Sequence, residues 1–126
     1  MANQDLKNNI SVATTLAPDA YTANVTGNTV DLNGYESAAI VAVVGAITDG
    51  THSLTVQESD DGSTWSDVDA SQLQGSFADL ASNTNQEVGY IGNKRYIRVN
   101  TTVAGATDGG KYAVVIVRGN PKVAPI

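Results

Sequence analysis

The chain has 126 residues and a mass of 13.0 kDa, the size of one compact domain, which excludes two independent catalytic domains. It contains no cysteine and a single histidine, so thiol chemistry is excluded and a catalytic triad or His-rich zinc site would depend on His52 alone. Its 13 acidic and 7 basic residues give a net charge of −6, which argues against nucleic-acid binding through phosphates.

The charges are separated along the chain. Twelve of the 13 acidic residues precede position 90, whereas six of the seven basic residues follow it. This pattern predicts either ion pairs between late and early strands, or an acidic and a basic face presented to neighbouring copies. Solvated charges without a role fit the same count, because exposed pairs contribute only about 0–1 kcal/mol each.

The first part of the chain is polar. Residues 1–9 lack the apolar segment of a secretory signal, so we expect the protein to be made and retained in a cytosol. Three short polar runs follow, at residues 11–16, 21–26 and 28–32, and the first two are separated by residues 17–19 around Pro18. We predict edge or rim strands here, because a central strand needs denser apolar content and an unbroken ladder of donors.

Two segments are apolar on both faces. Residues 38–47 form the longest apolar run, which is far shorter than the ~20 residues of a membrane-spanning helix, so we predict a core strand over residues 37–47. Residues 111–118 alternate two apolar sets and should lie beside it in the centre of a sheet. Both faces of these strands should be covered by the second sheet, by a loop or by another subunit.

The middle of the chain predicts a hairpin. Residues 52–58 alternate apolar and polar side chains, and Asp61-Gly62 predicts a type I′ turn that reverses the chain into residues 64–68. Residues 70–83 fit either a turn of helix, from the spacing of Leu73, Phe77 and Leu80, or an irregular loop interrupted by Gly75.

Two strands are predicted towards the end of the chain, at residues 86–91 and 95–103. The Gly-rich residues 105–110 precede a strand and not a helix, so they predict a hairpin loop and not a phosphate site. The buried side chains of these strands are expected to be Tyr90, Tyr96, Ile97 and Val99.

Composition and turn spacing together predict an all-β fold, a single antiparallel β-sandwich or barrel-like domain of about seven strands. Its core spans residues 11–118, with an N-terminal arm at 1–10 and a C-terminal tail at 119–126. Two prolines in that tail preclude a regular interior strand. We find no internal repeat.

The candidate chemical groups favour structural roles. His52 and Ser53 are neighbours on a strand and point to opposite faces, so they do not form a nucleophile and base with Asp49. The acidic loop at residues 58–63 offers oxygen ligands for calcium but lacks EF-hand spacing, so a plain turn is favoured. Trp65 is either an exposed binding anchor or, as we favour, packed in the core or at its rim.

Several segments resemble small virion proteins encoded beside the major capsid gene in tailed bacteriophages and prophages. The resemblance covers roughly residues 4–126, and its clearest motifs, which are turn and core signatures, lie at residues 30–38, 48–52, 56–65, 89–99 and 117–121. It implies a capsid decoration or cement protein, located on the virion surface and assembled in the host cytoplasm, that binds the outer capsid lattice and stabilises the DNA-filled head. A tail or head-completion role stays open.

This resemblance implies partners and not catalysis. We expect no enzymatic activity, cofactor, metal, membrane or direct nucleic-acid contact, and we expect binding to the major capsid protein and to neighbouring copies as a homo-oligomer. Alternatives are a carbohydrate-binding sandwich around Trp65 and a calcium-dependent module at the acidic loop. The residues expected to contact the capsid are Asn3, Asp5, Leu6, Lys7, Pro121, Lys122, Val123 and Pro125.

Overall fold

The computed structural model describes residues 10–121, which form two antiparallel sheets packed as a sandwich. Sheet A runs in the order β1-β10-β4-β8-β7, and sheet B runs β2-β9-β5-β6, with β3 also paired to β9. The strands of sheet A are β1 (Ile10–Tyr21), β4 (Tyr35–Ile47), β7 (Leu73–Gln74), β8 (Asn85–Tyr90) and β10 (Gly110–Pro121). Those of sheet B are β2 (Val25–Thr26), β3 (Val30–Asp31), β5 (Thr51–Ser59), β6 (Ser66–Asp67) and β9 (Tyr96–Ala104).

The all-β class is confirmed, but the count of about seven strands is wrong, because the described residues form ten. Four of the ten, β2, β3, β6 and β7, are only two residues long. A two-residue strand is too short for an alternating pattern to appear in the sequence, and its place is set by the strand it pairs with. No helix within residues 10–121 has the length and apolar content needed to cross a membrane.

The core lies between the two sheets. Alternate side chains of each long strand point inwards, so alternate residues along the middle of β4, β5, β9 and β10 are buried. Fully buried aliphatic side chains from both sheets meet there, including Ile40, Val114, Ile116, Ile97 and Val99.

The N-terminal strand β1 differs from the prediction. It continues through Pro18, where a break was expected, with irregular register between Thr14 and Leu16 and again between Leu16 and Asp19. An edge strand tolerates proline because one side of its backbone has no ladder partner. The prediction that this region lies at a sheet edge is confirmed.

One irregular position in β1 ties the two sheets together. The Thr15 hydroxyl donates to the Asn28 carbonyl at 2.9 Å and accepts from the Val99 amide at 3.1 Å. A Cβ on Gly27 would lie 2.1 Å from the Val99 carbonyl oxygen, so only glycine permits this close approach. The edge of sheet A is thereby fixed to sheet B by hydrogen bonds.

The two strands predicted to be central lie side by side. Strand β10 pairs with β4 over most of its length, and β1 flanks β10 on its other side. The sheet also extends past the predicted core limits, because β1 begins at Ile10 and β10 ends at Pro121. Covering of both faces is not observed within the described residues, because Val43 on the outer face of β4 is 50% exposed.

The structure differs from three local predictions. Residues 70–83 form one 3-10 turn over Ala70–Gln72, strand β7 and irregular chain, so each alternative is found in part, but the spacing of Leu73, Phe77 and Leu80 does not form a helix. Tyr96 is only half-buried, because strand alternation places Ile97 inside and Tyr96 outside. Residues 105–109 form no hairpin, since they connect β9 in sheet B to β10 in sheet A.

Candidate functional site

The residues predicted to contact a capsid lie at or beyond the ends of the described chain. Pro121 is the last residue of β10, and its backbone pairs with Tyr35 in β4. Ile10, the first described residue, pairs with Gly119 in β10. Both chain ends therefore leave the fold at the same end of sheet A, which we call the terminal end. The other predicted contact residues lie outside the described residues, and these are Asn3, Asp5, Leu6, Lys7, Lys122, Val123 and Pro125.

A cleft of about 460 Å³ opens beside the terminal end, lined by Tyr35, Ser37 and residues 92–95 among others. Its two basic side chains, Lys94 and Arg95, are engaged in ion pairs. Arg95 donates two hydrogen bonds to the Asp31 carboxylate, at 3.0 and 2.9 Å, and Lys94 bonds Asp60 at 2.9 Å. The guanidinium of Arg95 holds the pKa of Asp31 below its ordinary value.

These ion pairs support one of the two arrangements predicted from the separated charges. Both join a basic residue from the second half of the chain to an acidic residue from the first half, Arg95 to Asp31 and Lys94 to Asp60. Arg118 also joins a late strand to an early part of the chain. Its guanidinium donates to the Asp31 carbonyl at 3.1 Å and stacks over the Tyr35 ring at 4.9 Å. The late strands are thus tied to the early ones.

His52 occupies a structural position in the core. It is fully buried at the start of β5, with Nδ1 3.0 Å from the Tyr112 hydroxyl and Nε2 3.0 Å from the Asp49 carbonyl oxygen. Tyr112 in turn lies 2.6 Å from the Thr101 hydroxyl. Ser53 is half-buried on the other face of the strand, so the divergence predicted for these neighbours is confirmed.

Asp49 organises the loop that connects the two sheets. Its carboxylate accepts hydrogen bonds from the amides of Thr107, Asp108 and Gly109, the shortest at 2.7 Å. The Gly109 and Thr107 amides hold the pKa of Asp49 below its ordinary value. The side chain therefore acts as a clamp between the β4–β5 turn and the loop after β9.

Two carboxylates of the acidic loop at residues 58–63 are engaged by hydrogen bonds or an ion pair. The Asp61 carboxylate accepts from the amides of Ser63 and Thr64 and from the Ser59 hydroxyl, and the Thr64 amide contributes most to lowering the pKa of Asp61 to about 2. The Lys94 ammonium lies against Asp60 at the rim of the loop, where a calcium ion would have to compete with it. Within residues 10–121, no group of three or more His, Asp or Glu side chains is arranged to hold a metal ion.

The hairpin at this loop is confirmed, because β5 and β6 pair antiparallel, but the predicted type I′ turn is wrong. Such a turn requires positive φ at both central residues, whereas only Gly62, at φ 78°, has it. The hydrogen bonds to the Asp61 side chain stabilise a longer loop between Ser59 and Ser66 instead.

Trp65 packs at the rim of sheet B, as favoured from the sequence. Its side chain is half-buried, and its indole N–H donates to the Gly62 carbonyl at 3.3 Å. The Arg98 guanidinium covers the ring at 4.1 Å from the centroid. A sugar ring stacking on that face of Trp65 would have to displace the guanidinium.

A distinct surface lies on the outer side of sheet A. Small and branched apolar side chains of β1, β10 and β4 point outwards there, in three rows set by the strand register, and we call this surface the apolar face. Val12 is 57% exposed, Val43 is 50% exposed and Thr14 is also exposed, while the other members are half-buried by their neighbours. The rows consist of Val12, Val117 and Ala39; then Thr14, Val115 and Val41; then Ala113 and Val43.

The sequence contains the apolar face but does not locate it. Both alternating sets of β4 and β10 are apolar, so the pattern does not tell which set faces the second sheet. The observed register places Ile40, Ile116 and their neighbours inside and Val41 and Val115 outside. Strand β10 carries one sequence signal, because the charged Lys111 belongs to its outer set and the aromatic Tyr112 to its inner set.

The sequence matches no protein-family model and no curated protein. Among solved structures, it is similar to a chain in the structure of infectious bursal disease virus, Gx strain, with a TM-score of 0.45 and 14% sequence identity. The match covers 92% of this chain and 34% of that chain, so this chain spans about a third of the length of the viral one. At this identity and score the match carries no argument about function.

Proposed function

We propose that the protein is a structural virion protein of a tailed bacteriophage, a decoration or cement protein that binds the outside of the capsid and acts by contact and not by catalysis. The observation that carries the proposal is the terminal end. Ile10 and Gly119 are paired neighbours and Pro121 lies beside Tyr35, so both chain ends leave one end of the rigid sandwich. Two segments that start side by side can bind one surface together.

The neighbourhood of the terminal end is suited to transmitting such a contact. Strand β10 is central in sheet A, and Arg118 near its end donates to the Ser11 hydroxyl of β1 at 2.7 Å and to the Asp31 carbonyl of β3. A pull on either chain end is therefore distributed over both sheets. Many copies of such a contact, each weak, sum by avidity on a lattice.

The sequence resemblance supplies the identity of the lattice. It implies the outer surface of a phage head, with the major capsid protein as the partner. In this proposal the capsid contacts come from the residues predicted for that role, which are Asn3, Asp5, Leu6, Lys7, Pro121, Lys122, Val123 and Pro125. The host cytoplasm is then the site of assembly and the capsid surface the final location.

The test is co-sedimentation of the purified protein with mature heads that lack it, with particle stability to heat followed in parallel. Saturable binding that stabilises the heads is the expected result. Two truncated variants, lacking residues 2–9 or residues 122–126, should each bind more weakly while keeping the native melting temperature. The variant Thr55→Lys, on the outer face of β5, serves as a full-length control that should bind normally.

Two outcomes would overturn parts of the proposal. Full binding by both truncated variants would remove the chain ends from the contact. No binding by the native chain, together with its presence in purified tails or necks, would replace the decoration role by a tail or head-completion role.

A further inference from the structure

The apolar face stays partly exposed in the described fold. Seven of its side chains are valine or alanine, and they form a continuous strip across three neighbouring strands. In a soluble protein, apolar surface that is contiguous and ringed by polar side chains marks an interaction site. The neighbouring charges include Glu87 on β8, beside Val41, and Asp19 on β1 and Lys111 on β10, which both lie near Val43 and Ala113.

The strand register gives this face a pattern of large and small side chains. In the first row Val117 on β10 lies beside Ala39 on β4, and in the third row Ala113 on β10 lies beside Val43 on β4. In the middle row both strands carry valine, Val115 beside Val41. Large and small residues thus exchange strands from one end of the face to the other.

This pattern is complementary to itself. A two-fold axis parallel to the strands, running between β10 and β4, lays β10 of one copy over β4 of the other in the same row. Val117 then meets Ala39 of the second copy, Val43 meets its Ala113, and Val115 meets its Val41. Large opposes small at both ends, as interdigitating sheet faces about 10 Å apart require.

The charges agree with this axis. It places Glu87 on β8 opposite Thr14 on β1 of the second copy, because both residues lie in the middle row. The Thr14 hydroxyl can then donate a hydrogen bond to the Glu87 carboxylate. An axis perpendicular to the strands would instead oppose Glu87 to Glu87 and bring two like charges together.

We propose that the apolar face binds a second copy of this chain, sheet A against sheet A, about a two-fold axis parallel to β4 and β10. The proposal does not depend on the virion role. The three rows on four strands cover about 400 Å² of flat sheet at standard strand spacings. Two copies together bury about 800 Å², below the size of standard stable interfaces, so the dimer is weak and depends on concentration.

The first test is sedimentation equilibrium of the purified full-length chain from micromolar to millimolar concentration. The average mass of the native chain should rise from that of a monomer towards that of a dimer. Val41→Lys should stay monomeric at every concentration, because its ammonium, even when paired with the neighbouring Glu87, would have to leave water in the centre of a small apolar interface. Thr55→Lys places the same charge on the outer face of sheet B and should dimerise like the native chain.

A size exchange tests the axis itself. Ala39→Val opposes two valines, and Val117→Ala opposes two alanines, so each single variant should weaken association, the first by about ten-fold or more. The double variant Ala39→Val with Val117→Ala restores large against small and should recover native association. All three variants should stay folded and melt within a few degrees of the native chain, measured below the concentration of dimerisation.

A native chain that stays monomeric at millimolar concentration would overturn the proposal. If Val41→Lys then also lost binding to phage heads, the face would belong to the capsid contact instead. Failure of the double variant to recover association would overturn the stated axis. Because sedimentation uses the purified chain without heads, its result is independent of the test of the virion role.

Discussion

The outer face of sheet B is polar and cross-linked by its side chains, whereas the outer face of sheet A is mostly valine and alanine, whose side chains cannot form hydrogen bonds. On sheet B, Gln57 accepts hydrogen bonds from Arg98 at 2.9 Å and Asn100 at 2.8 Å, and donates to Asp67 at 3.0 Å. Arg98 also covers Trp65. On sheet A the corresponding positions carry valine and alanine.

The difference shows that the two outer faces of the sandwich are suited to different surroundings. The polar side chains on sheet B form hydrogen bonds with one another and with water, so this face can be exposed to solvent without another contact. An apolar sheet face gains free energy when it leaves water, at about 25 cal/mol per Å² buried. Sheet A is therefore the side of the sandwich for which association lowers the free energy.

The largest expected effect separates the inner and outer faces of one strand. Ile116→Ala removes a fully buried side chain and should lower the free energy of unfolding by about 2–5 kcal/mol. Val115→Ala, its neighbour on the apolar face, should cost about 1 kcal/mol or less. Urea denaturation at low protein concentration measures both. Equal costs would mean that the apolar face is covered within a single chain.

The next effect concerns the polar ladder of sheet B. Gln57→Ala removes the acceptor shared by Arg98 and Asn100 and should cost about 0.5–1.5 kcal/mol. Thr14→Ala on the outer face of sheet A removes no hydrogen bond that the structure shows and serves as the matched control. Urea denaturation of the two variants compares the faces directly, and an equal loss from Thr14→Ala would remove the contrast between them.

Acid should act on the loops that border sheet B. The pKa of Asp61 is lowered to about 2, and the pKa values of Asp31 and Asp49 are also lowered, so each carboxylate binds protons more weakly in the folded chain than in the unfolded one. Their stabilisation is present above about pH 4 and is lost as pH falls towards 2. The melting temperature should therefore fall over this interval.

The variant Asp61→Asn measures how much of this loss of stability in acid comes from the carboxylate in the loop at residues 58–63. Its melting temperature should lie below that of the native chain at pH 6, and the difference should shrink as the pH falls towards 2, because a growing share of the native Asp61 side chains is then uncharged. A constant difference between the two proteins across this range would mean that the Asp61 carboxylate does not contribute through its charge.

The smallest effect on stability should come from making sheet A resemble sheet B. Replacing Val41, Val43 and Val115 by threonine keeps side-chain size and strand propensity, so each change should alter stability by about 0.5 kcal/mol or less. Binding of a hydrophobic fluorescent dye to the folded protein should fall at the same time. Unchanged dye binding would place the exposed apolar surface elsewhere.

The candidate sites were predictable where the chemistry is local. The divergence of His52 and Ser53 follows from strand alternation, and the structural role of the acidic loop follows from the missing ligand spacing. The clamp formed by Asp49 was not predictable. It joins residues about sixty positions apart, and no local pattern indicates that the turn after β4 and the loop after β9 lie side by side.

The sequence by itself determined the β class, the central position of residues 37–47 and 111–118, and the hairpin at Asp61-Gly62, because periodicity and turn chemistry act over a few neighbouring residues. Only the tertiary structure decided that β1 continues through Pro18, that β9 and β10 belong to different sheets, and which set of valines faces outwards. These features depend on pairing between distant strands. Strands β4 and β10 are apolar on both faces, so the strand register, and not the composition, decides which face is buried and which is exposed.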